Sequence, residues 1–324
     1  MLFTDDLYHK VLIEPTERGY DSLAIVSGYA SAPFLMKHVT DIVERKLTGR
    51  SISLIIGMWP NIGNLFVNHV GFKRICESTE VNVSCRYNSG VPNHTKAYLW
   101  SLGGIPKLAY VGSANYSSNG FVGLQNELLY EANPNLVATY IENCTLSSQL
   151  CNEPQVESAV IELITKSSPS RGYLDYTRAP VDGTTSKIEL SLLDKSNSVP
   201  AISGLNWGQR PGREPNQAYI SIPSNVTKSG FFPLIRNPFS VICDDGAVLF
   251  CVTAQPKKKG ELDGHAIHTR DNSDLGKYIR RRIGVPLGEK VSLDNLRSYG
   301  RTSVTIVKLD NENYALDFST SSNK

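Results

Sequence analysis

The chain changes texture near its middle, and each texture asks for its own kind of core. Residues 22–30 (SLAIVSGYA) and 52–59 (ISLIIGMW) are apolar runs of buried-strand length. Between and after them, residues 34–47 and 65–78 repeat apolar positions every three or four residues, as amphipathic helices do. Residues 81–87, 94–100 and 108–111 read as further strands, and the run ELLYEA that Glu127 opens is strand-like too. Strand–helix alternation predicts an α/β sandwich around a central sheet. A helix-like stretch over 156–166 is followed by Ser-, Pro- and Gly-rich sequence, which marks a boundary.

Beyond that boundary the segments are short and β-branched: 187–193, 218–222, 240–243, 247–254 and 304–309. Asp244-Asp245-Gly246 reads as a hairpin turn, and so does the stretch 310–313. One helix is signalled, capped by Asn272-Ser273, striped by Leu275, Tyr278, Ile279 and Ile283, and ended by Gly284 and Pro286. Several strands and one helix predict a small barrel-like β domain. The expected organisation is a first domain over 1–170, a linker over 171–186 and a second domain over 187–324, and 324 residues suffice for two cores.

Composition removes several classes. At 40% hydrophobic and 20% charged, the chain reads as globular. No apolar run reaches the roughly 18 residues of a membrane-spanning helix. The start, MLFTDDLYHK, carries acids where a signal peptide needs a basic segment, so a cytoplasmic location is expected. None of the six cysteines forms a C-x-x-C pair; they read as mostly reduced thiols rather than zinc ligands or a disulfide framework. The histidines show no metal-ligand spacing, so no metal site is expected. The net charge of +2 hides an asymmetry. Residues 1–170 hold 12 Lys+Arg against 15 Asp+Glu, a balance of −3; residues 171–324 hold 21 against 16, a balance of +5. A basic second half suits either a polyanion partner or a solvated face.

Two short runs carry the chemistry: His94-Thr95-Lys96 and Gly112-Ser113-Ala114-Asn115. On a strand, His94 and Lys96 would project together, with Thr95 turned away. An imidazole can attack phosphorus, and an adjacent ammonium can neutralise the oxygens that gather charge. Ser113 and Asn115 can donate to the same oxygens, and a carboxylate at Glu127 can hold a histidine in one tautomer. Taken singly, each has a plainer reading: a surface or core histidine, a solvated lysine, a turn asparagine, an ordinary acid beside a strand.

In the second half, residues 205–219 read LNWGQRPGREPNQAY. Trp207, Gln209, Arg210, Arg213, Asn216 and Gln217 supply groups suited to bases and phosphates on a stiff, Gly- and Pro-rich loop. A second arm over 255–272 offers Lys257, Lys258, Lys259, His265, His268, Thr269, Arg270 and Asn272. Consecutive lysines suit phosphates, which give affinity without sequence choice. Arg280, Arg281 and Arg282 are taken as a solvated helix face.

The H-x-K and G-S-x-N runs resemble the HKD motif of the phospholipase D superfamily. Where that family usually has an aspartate after the lysine, this chain has Ser101, and the turn Gly103-Gly104-Ile105-Pro106 lengthens the gap to the glycine. The restriction-enzyme branch departs from the aspartate in the same way and carries a downstream glutamate, a role that Glu127 fits. The runs GLNWGQR, PGR, PNQAY, FFP and HTRDNSDLGKYIRRRIGV are similar to the C-terminal half of NgoFVII-type restriction endonucleases. Those join a phospholipase D-like nuclease domain to a pseudobarrel shared with BfiI-like enzymes and with the B-three domains of plant transcription factors.

The resemblance implies a type II-like restriction endonuclease that binds double-stranded DNA through two loop arms. It implies metal-independent hydrolysis through a phosphohistidine on His94 at a short site, and Arg210 and Arg213, each able to pair with guanine, predict that the site is G·C-rich. The superfamily builds one site from two HKD motifs; this chain has one, so a homodimer through the first domain is expected. Some relatives need a separate ATPase subunit; no Walker-type motif occurs here, so ATP and Mg would enter only through such a partner. Two other readings stay open: a sequence-specific DNA-binding protein with an inactive nuclease domain, and a phospholipid phosphodiesterase.

Overall fold

The computed structural model describes residues 1–47, 49–59, 65–77, 81–123, 125–167, 186–235, 237–258 and 261–320. It falls into two compact units, Met1–Pro169 and Ser170–Lys324. The linker expected over 171–186 lies, except for Ser186, outside the described residues.

In the first unit the strands in chain order are β1 (Leu2–Phe3), β2 (Ser22–Ser27), β3 (Ser51–Ile56), β4 (Asn82–Asn88), β5 (Lys96–Leu102), β6 (Ile105–Gly112), β7 (Leu129–Ala132) and β8 (Ser148–Leu150). The helices are α1 (Glu14–Glu17), α2 (Ala32–Glu44), α3 (Leu65–Cys76), α4 (Ser118–Phe121), α5 (Pro134–Leu146) and α6 (Pro154–Ser167). The strands form one mixed sheet in the order β1-β7-β6-β5-β2-β3-β4-β8. β2, β3 and β4 run parallel, and β5 joins β2 antiparallel. The central strands are apolar because both faces of the sheet are covered.

On one face, Val26, Ile55, Ala97, Leu99 and Ala109 pack against Val137, Ile141 and Cys144 of α5. Alternation sends Tyr98 and Trp100 to the other face, where Tyr98, Tyr116, Phe34 and Phe121 form an aromatic cluster. Helix α5 was not expected from the periodicity, although Asn133 caps it through Asn135 N and Leu136 N and Pro134 opens it.

The second unit adds β9 (Lys187–Ser191), β10 (Ile220–Ser221), β11 (Phe239–Cys243), β12 (Val248–Ala254), β13 (Ala266–Thr269), β14 (Ser303–Lys308) and β15 (Asn313–Asp317), with helices α7 (Ser224–Lys228), α8 (Asp274–Arg282) and α9 (Leu293–Tyr299). The sheet order is β10-β13-β12-β11-β15-β14-β9, a near-closed barrel. Its interior holds Leu190, Phe239, Val241, Leu249, Ile279, Val304, Tyr314 and Phe318 among others.

Three details differ from expectation. α9 was missed despite its capping box between Ser292 and Asn295 and its left-handed end at Gly300. The Ser273 side chain does not cap α8; it donates to Glu214 (2.6 Å), and Thr269 Oγ1 accepts the Leu275 amide instead (3.0 Å). The arginines of α8 are not one solvated face. Arg280 is fully buried and donates to the carbonyls of Glu289, Gly276, Leu205 and Pro215. Arg282 forks onto Asp244, and only Arg281 is exposed.

Candidate active site and nucleic-acid interface

The sheet register brings the candidate nuclease residues to one edge. Ser27, the last residue of β2, stands opposite Lys96, the first of β5. Gly112, the last of β6, pairs with Leu129 at the start of β7. The bend after β2 runs through Gly28, which is buried. A Cβ placed there would lie 3.3 Å from His94 Cα, 3.4 Å from Lys96 Nζ and 3.5 Å from Asn115 Oδ1. Three of the sequence-predicted residues therefore converge on one point, and glycine is the residue that leaves it open.

His94 lies just before β5 rather than on it. Asn93 Oδ1 accepts the Thr95 amide (2.9 Å), forming an Asx turn across His94. Asn93 and Thr95 are both tied to Tyr140 OH of α5, at 2.9 and 2.7 Å. The exposed imidazole meets the Tyr29 ring edge-on at 5.9 Å and makes no hydrogen bond to another described residue.

Lys96 Nζ donates to the His94 carbonyl at 2.5 Å. Partial burial pulls the lysine below its usual range, and the charge of Glu127 pushes it back up. Asn115 Oδ1 accepts the Tyr29 amide (3.1 Å). Ser113 Oγ donates to Glu127 and accepts the Leu128 amide (3.0 Å). Glu127 thus faces Ser113 and Lys96, and the role of holding the His94 tautomer is not met by any bond within the described residues of this chain. The reason is geometric: Ser113 stands beside the segment that carries Glu127. Sequence reasoning missed Ser27, Gly28 and Tyr29, because a Ser-Gly-Tyr after an apolar run is ordinary without the sheet register.

In the barrel unit, the two expected arms meet at one cluster. Arg213 lies over the Trp207 ring (4.1 Å to its centre), and its Nη1 donates to Gln217 Oε1 at 2.8 Å. His268, from the second arm, approaches Trp207 at 6.2 Å between ring centres. Arg210 is exposed, with Nε held by the Ile202 carbonyl (2.8 Å). Lys257 Nζ donates to Ser224 Oγ (2.5 Å), Lys258 is exposed, and Lys259 lies outside the described residues. Arg270 is half-buried.

Three arm residues turn inward instead. Gln209 donates to the carbonyls of Pro215 (3.1 Å) and Gly288 (3.0 Å). Asn216 is buried, donating to Glu214 (2.7 Å) and accepting the Gly288 amide (2.7 Å). Thr269 is buried and occupied in capping α8. Their amides and hydroxyl were legible as hydrogen-bonding groups but not as internal ones. Asn272 sits behind the cluster; its backbone carbonyl accepts the Ala218 amide (3.1 Å), while its buried Oδ1 has no hydrogen-bond partner.

Among the described residues no group of three or more His, Cys, Asp or Glu is placed to hold a metal ion. No helix among them is long and apolar enough to cross a membrane. The six cysteines are free.

A mixed-sheet unit with this edge site, joined to a near-closed barrel, defines a phospholipase D-type nuclease coupled to a DNA-binding domain. The model of the NgoFVII restriction endonuclease N-terminal PLD domain matches residues 5–158. That of the NgoFVII C-terminal B3-like DNA-binding domain matches residues 181–310. The chain belongs to the NgoFVII restriction endonuclease family, within the phospholipase D superfamily. Solved structures similar to it include NucT from Helicobacter pylori, 15% identical, covering 46% of this chain and 96% of that one, with a TM-score of 0.33. The phospholipase D family member Nuc from Salmonella typhimurium is likewise 15% identical, covering 46% and 95%, with a TM-score of 0.36. No curated protein sequence matches the chain.

Proposed function

We propose that this restriction endonuclease cuts DNA through a covalent phosphohistidine on His94, without a metal ion in the chemical step. The observation that carries the reading is the convergence of His94, Lys96 and Asn115 on the open point at Gly28. In the first step an imidazole nitrogen of His94 forms a bond to phosphorus while the P–O bond to the leaving strand breaks. Lys96 and Asn115 stabilise the equatorial oxygens, and Ser113 orients Glu127 beside the lysine. Water then attacks phosphorus, giving its proton to the group that protonated the leaving strand, the P–N bond breaks, and the imidazole is restored.

The leaving oxygen needs a proton from a second acid. We assign it to His94 of a second copy of the chain, since this chain carries one such motif. Beside His94, a groove of about 260 Å³ is lined by Thr95, Ala97, Val111, Leu136, Val137 and Tyr140. Leu136 of this groove is 73% exposed, and such an exposed apolar patch supports pairing of two first domains.

The B3-like domain binds double-stranded DNA, and we assign base reading to Arg213, Arg210 and Gln217 with Trp207 and His268 behind them. Lys257, Lys258, Lys259 and Arg270 are assigned to phosphates, and two exposed arginines favour a G·C-rich site. A phospholipid substrate leaves this domain without a role. Whether a separate ATPase supplies ATP and Mg is decided by the same experiment that tests the chemistry. Plasmid DNA is incubated in EDTA with wild type and His94→Ala, and in parallel with magnesium, ATP and co-purified ATPase. Cleavage in EDTA that disappears with His94→Ala is the expected result. Cleavage that persists in His94→Ala overturns the phosphohistidine, and cleavage only in the ATPase mixture makes this chain one subunit of a larger machine.

A further inference from the structure

We propose that Ser27 is a positioning residue for the nuclease site, fixing the amide of Asn115 so that its NH2 group faces the phosphoryl oxygens. The proposal rests on the catalytic reading above. Ser27 is fully buried, so it acts through other residues rather than on DNA.

Its hydroxyl bridges the two segments that meet at Asn115. Ser27 Oγ donates to the Tyr29 carbonyl at 2.5 Å and accepts the Tyr116 amide at 2.9 Å. The first bond closes the bend around Gly28. That bend aims the Tyr29 amide at Asn115 Oδ1 (3.1 Å), and Ser27 Oγ itself lies 3.5 Å from the same oxygen. With Oδ1 committed to a backbone donor, the amide cannot flip without losing that bond. Nδ2 is then the group left for substrate, and it makes no hydrogen bond to another described residue.

The second bond pins the backbone just after Asn115. The residue before it is pinned as well, since the Ala114 carbonyl accepts Tyr98 OH at 2.7 Å. Tyr116 is anchored in turn by His38 at 2.8 Å. Asn115 therefore sits on a backbone held from both sides, and the Ser27 side chain touches both the bend and the asparagine. A hydroxyl accepts and donates at once, which is what this position uses.

The test is a double-mutant cycle on the full-length protein with Ser27→Ala, Asn115→Ala and the double variant, read as kcat and KM for a plasmid substrate. Active sites are counted by the phosphohistidine trapped in an alkaline denaturing quench, which spares the acid-labile P–N bond, so an unfolded fraction does not enter kcat. Asn115→Ala is expected to lower kcat by about 10²- to 10³-fold, the usual cost of one such donor. Ser27→Ala is expected to lower kcat by about tenfold or more with KM little changed, as misplacement of a catalytic group does. The double variant is expected to match Asn115→Ala alone, because Ser27 acts only through that residue.

Ser27→Thr, which keeps the hydroxyl, is expected to recover part of the rate if the added methyl is tolerated, and a melting curve reports that tolerance. If Ser27→Ala leaves kcat per active site unchanged, or if the two losses multiply in the double variant, the positioning role is wrong. If Asn115→Ala cuts at the wild-type rate, the catalytic reading itself fails, and Ser27 with it.

Discussion

Gly28 and Lys96 are separated by the room that one carbon needs. A Cβ on Gly28 would stand 3.4 Å from Lys96 Nζ and 3.3 Å from His94 Cα. Gly28 does not adopt a positive φ, so the requirement is for space and not for backbone freedom. Gly28→Ala is therefore expected to fold, since alanine there also restricts the unfolded chain by about 0.4–1 kcal/mol. DNA cleavage is expected to fall by about tenfold or more, because the nucleophile and its lysine are pushed apart. Steady-state cleavage and a thermal melt on the same preparation check this. A variant that melts normally and cuts normally removes Gly28 from the site.

The two arms predict two different kinds of loss. Arg213 is pre-oriented by the Trp207 ring and by Gln217, so its truncation should remove base discrimination. Arg213→Ala is expected to cost about 1–3 kcal/mol at one position of the site and to relax the choice there. Lys258 is an exposed cation on the other arm. Lys258→Ala is expected to weaken binding to all sequences alike and to reduce the slope of log affinity against log salt by about one. Selection from a randomised duplex pool, followed by salt titration of the winner, separates the two. A uniform loss from Arg213→Ala would return it to the phosphate class.

Local pattern made much of this molecule legible. The parallel strands β2 and β3 announce themselves as apolar runs, and the H-x-K and G-S-x-N runs mark the nuclease edge before any fold is known. What stayed hidden depends on register and depth. Ser27 reads as one serine among many until β5 is laid beside β2 and sets it opposite Lys96. Arg280 and Arg281 are neighbours of identical type. Only packing separates the first, with no exposure, from the second, which faces solvent. Asn216 and Thr269 carry the groups a DNA contact would use, and spend them inside the domain. Polarity in a sequence shows that a bond will be made, and the fold decides with what.

The contrast between the two arginines can be measured. Arg280 donates to four backbone carbonyls from a site with no solvent. Truncation strands those acceptors and leaves a cavity, so Arg280→Ala is expected to destabilise the second domain by about 3 kcal/mol or more. Arg281→Ala is expected to stay within about 0.5 kcal/mol of wild type, as surface substitutions do. Denaturant melts of the two variants decide the point. Equal midpoints would mean that the buried clamp contributes nothing net.

Buried His38 predicts how the first domain responds to acid. It has no exposure, bonds Tyr116 OH and the Leu12 carbonyl, and its pKa is lowered by burial from 6.5 to about 4. The folded state therefore favours the neutral ring, while the unfolded chain takes up a proton near pH 6.5. Its contribution is complete above about pH 6.5, erodes as the pH falls, and is fully lost once the pH has passed through about 4. That interval corresponds to about 3 kcal/mol. His38→Gln keeps hydrogen-bonding groups without the titration. The wild type is expected to lose about 3 kcal/mol more than His38→Gln between pH 7 and pH 4, with most of the difference appearing below pH 6.5. Other titrating groups, including buried His69, are common to both proteins and cancel in the difference. Parallel stability-versus-pH curves would assign the acid sensitivity of this domain elsewhere. Because Tyr116 follows Asn115 directly, the same protonation should slow cleavage before the domain unfolds, and a pH–rate profile of the two proteins tests that order.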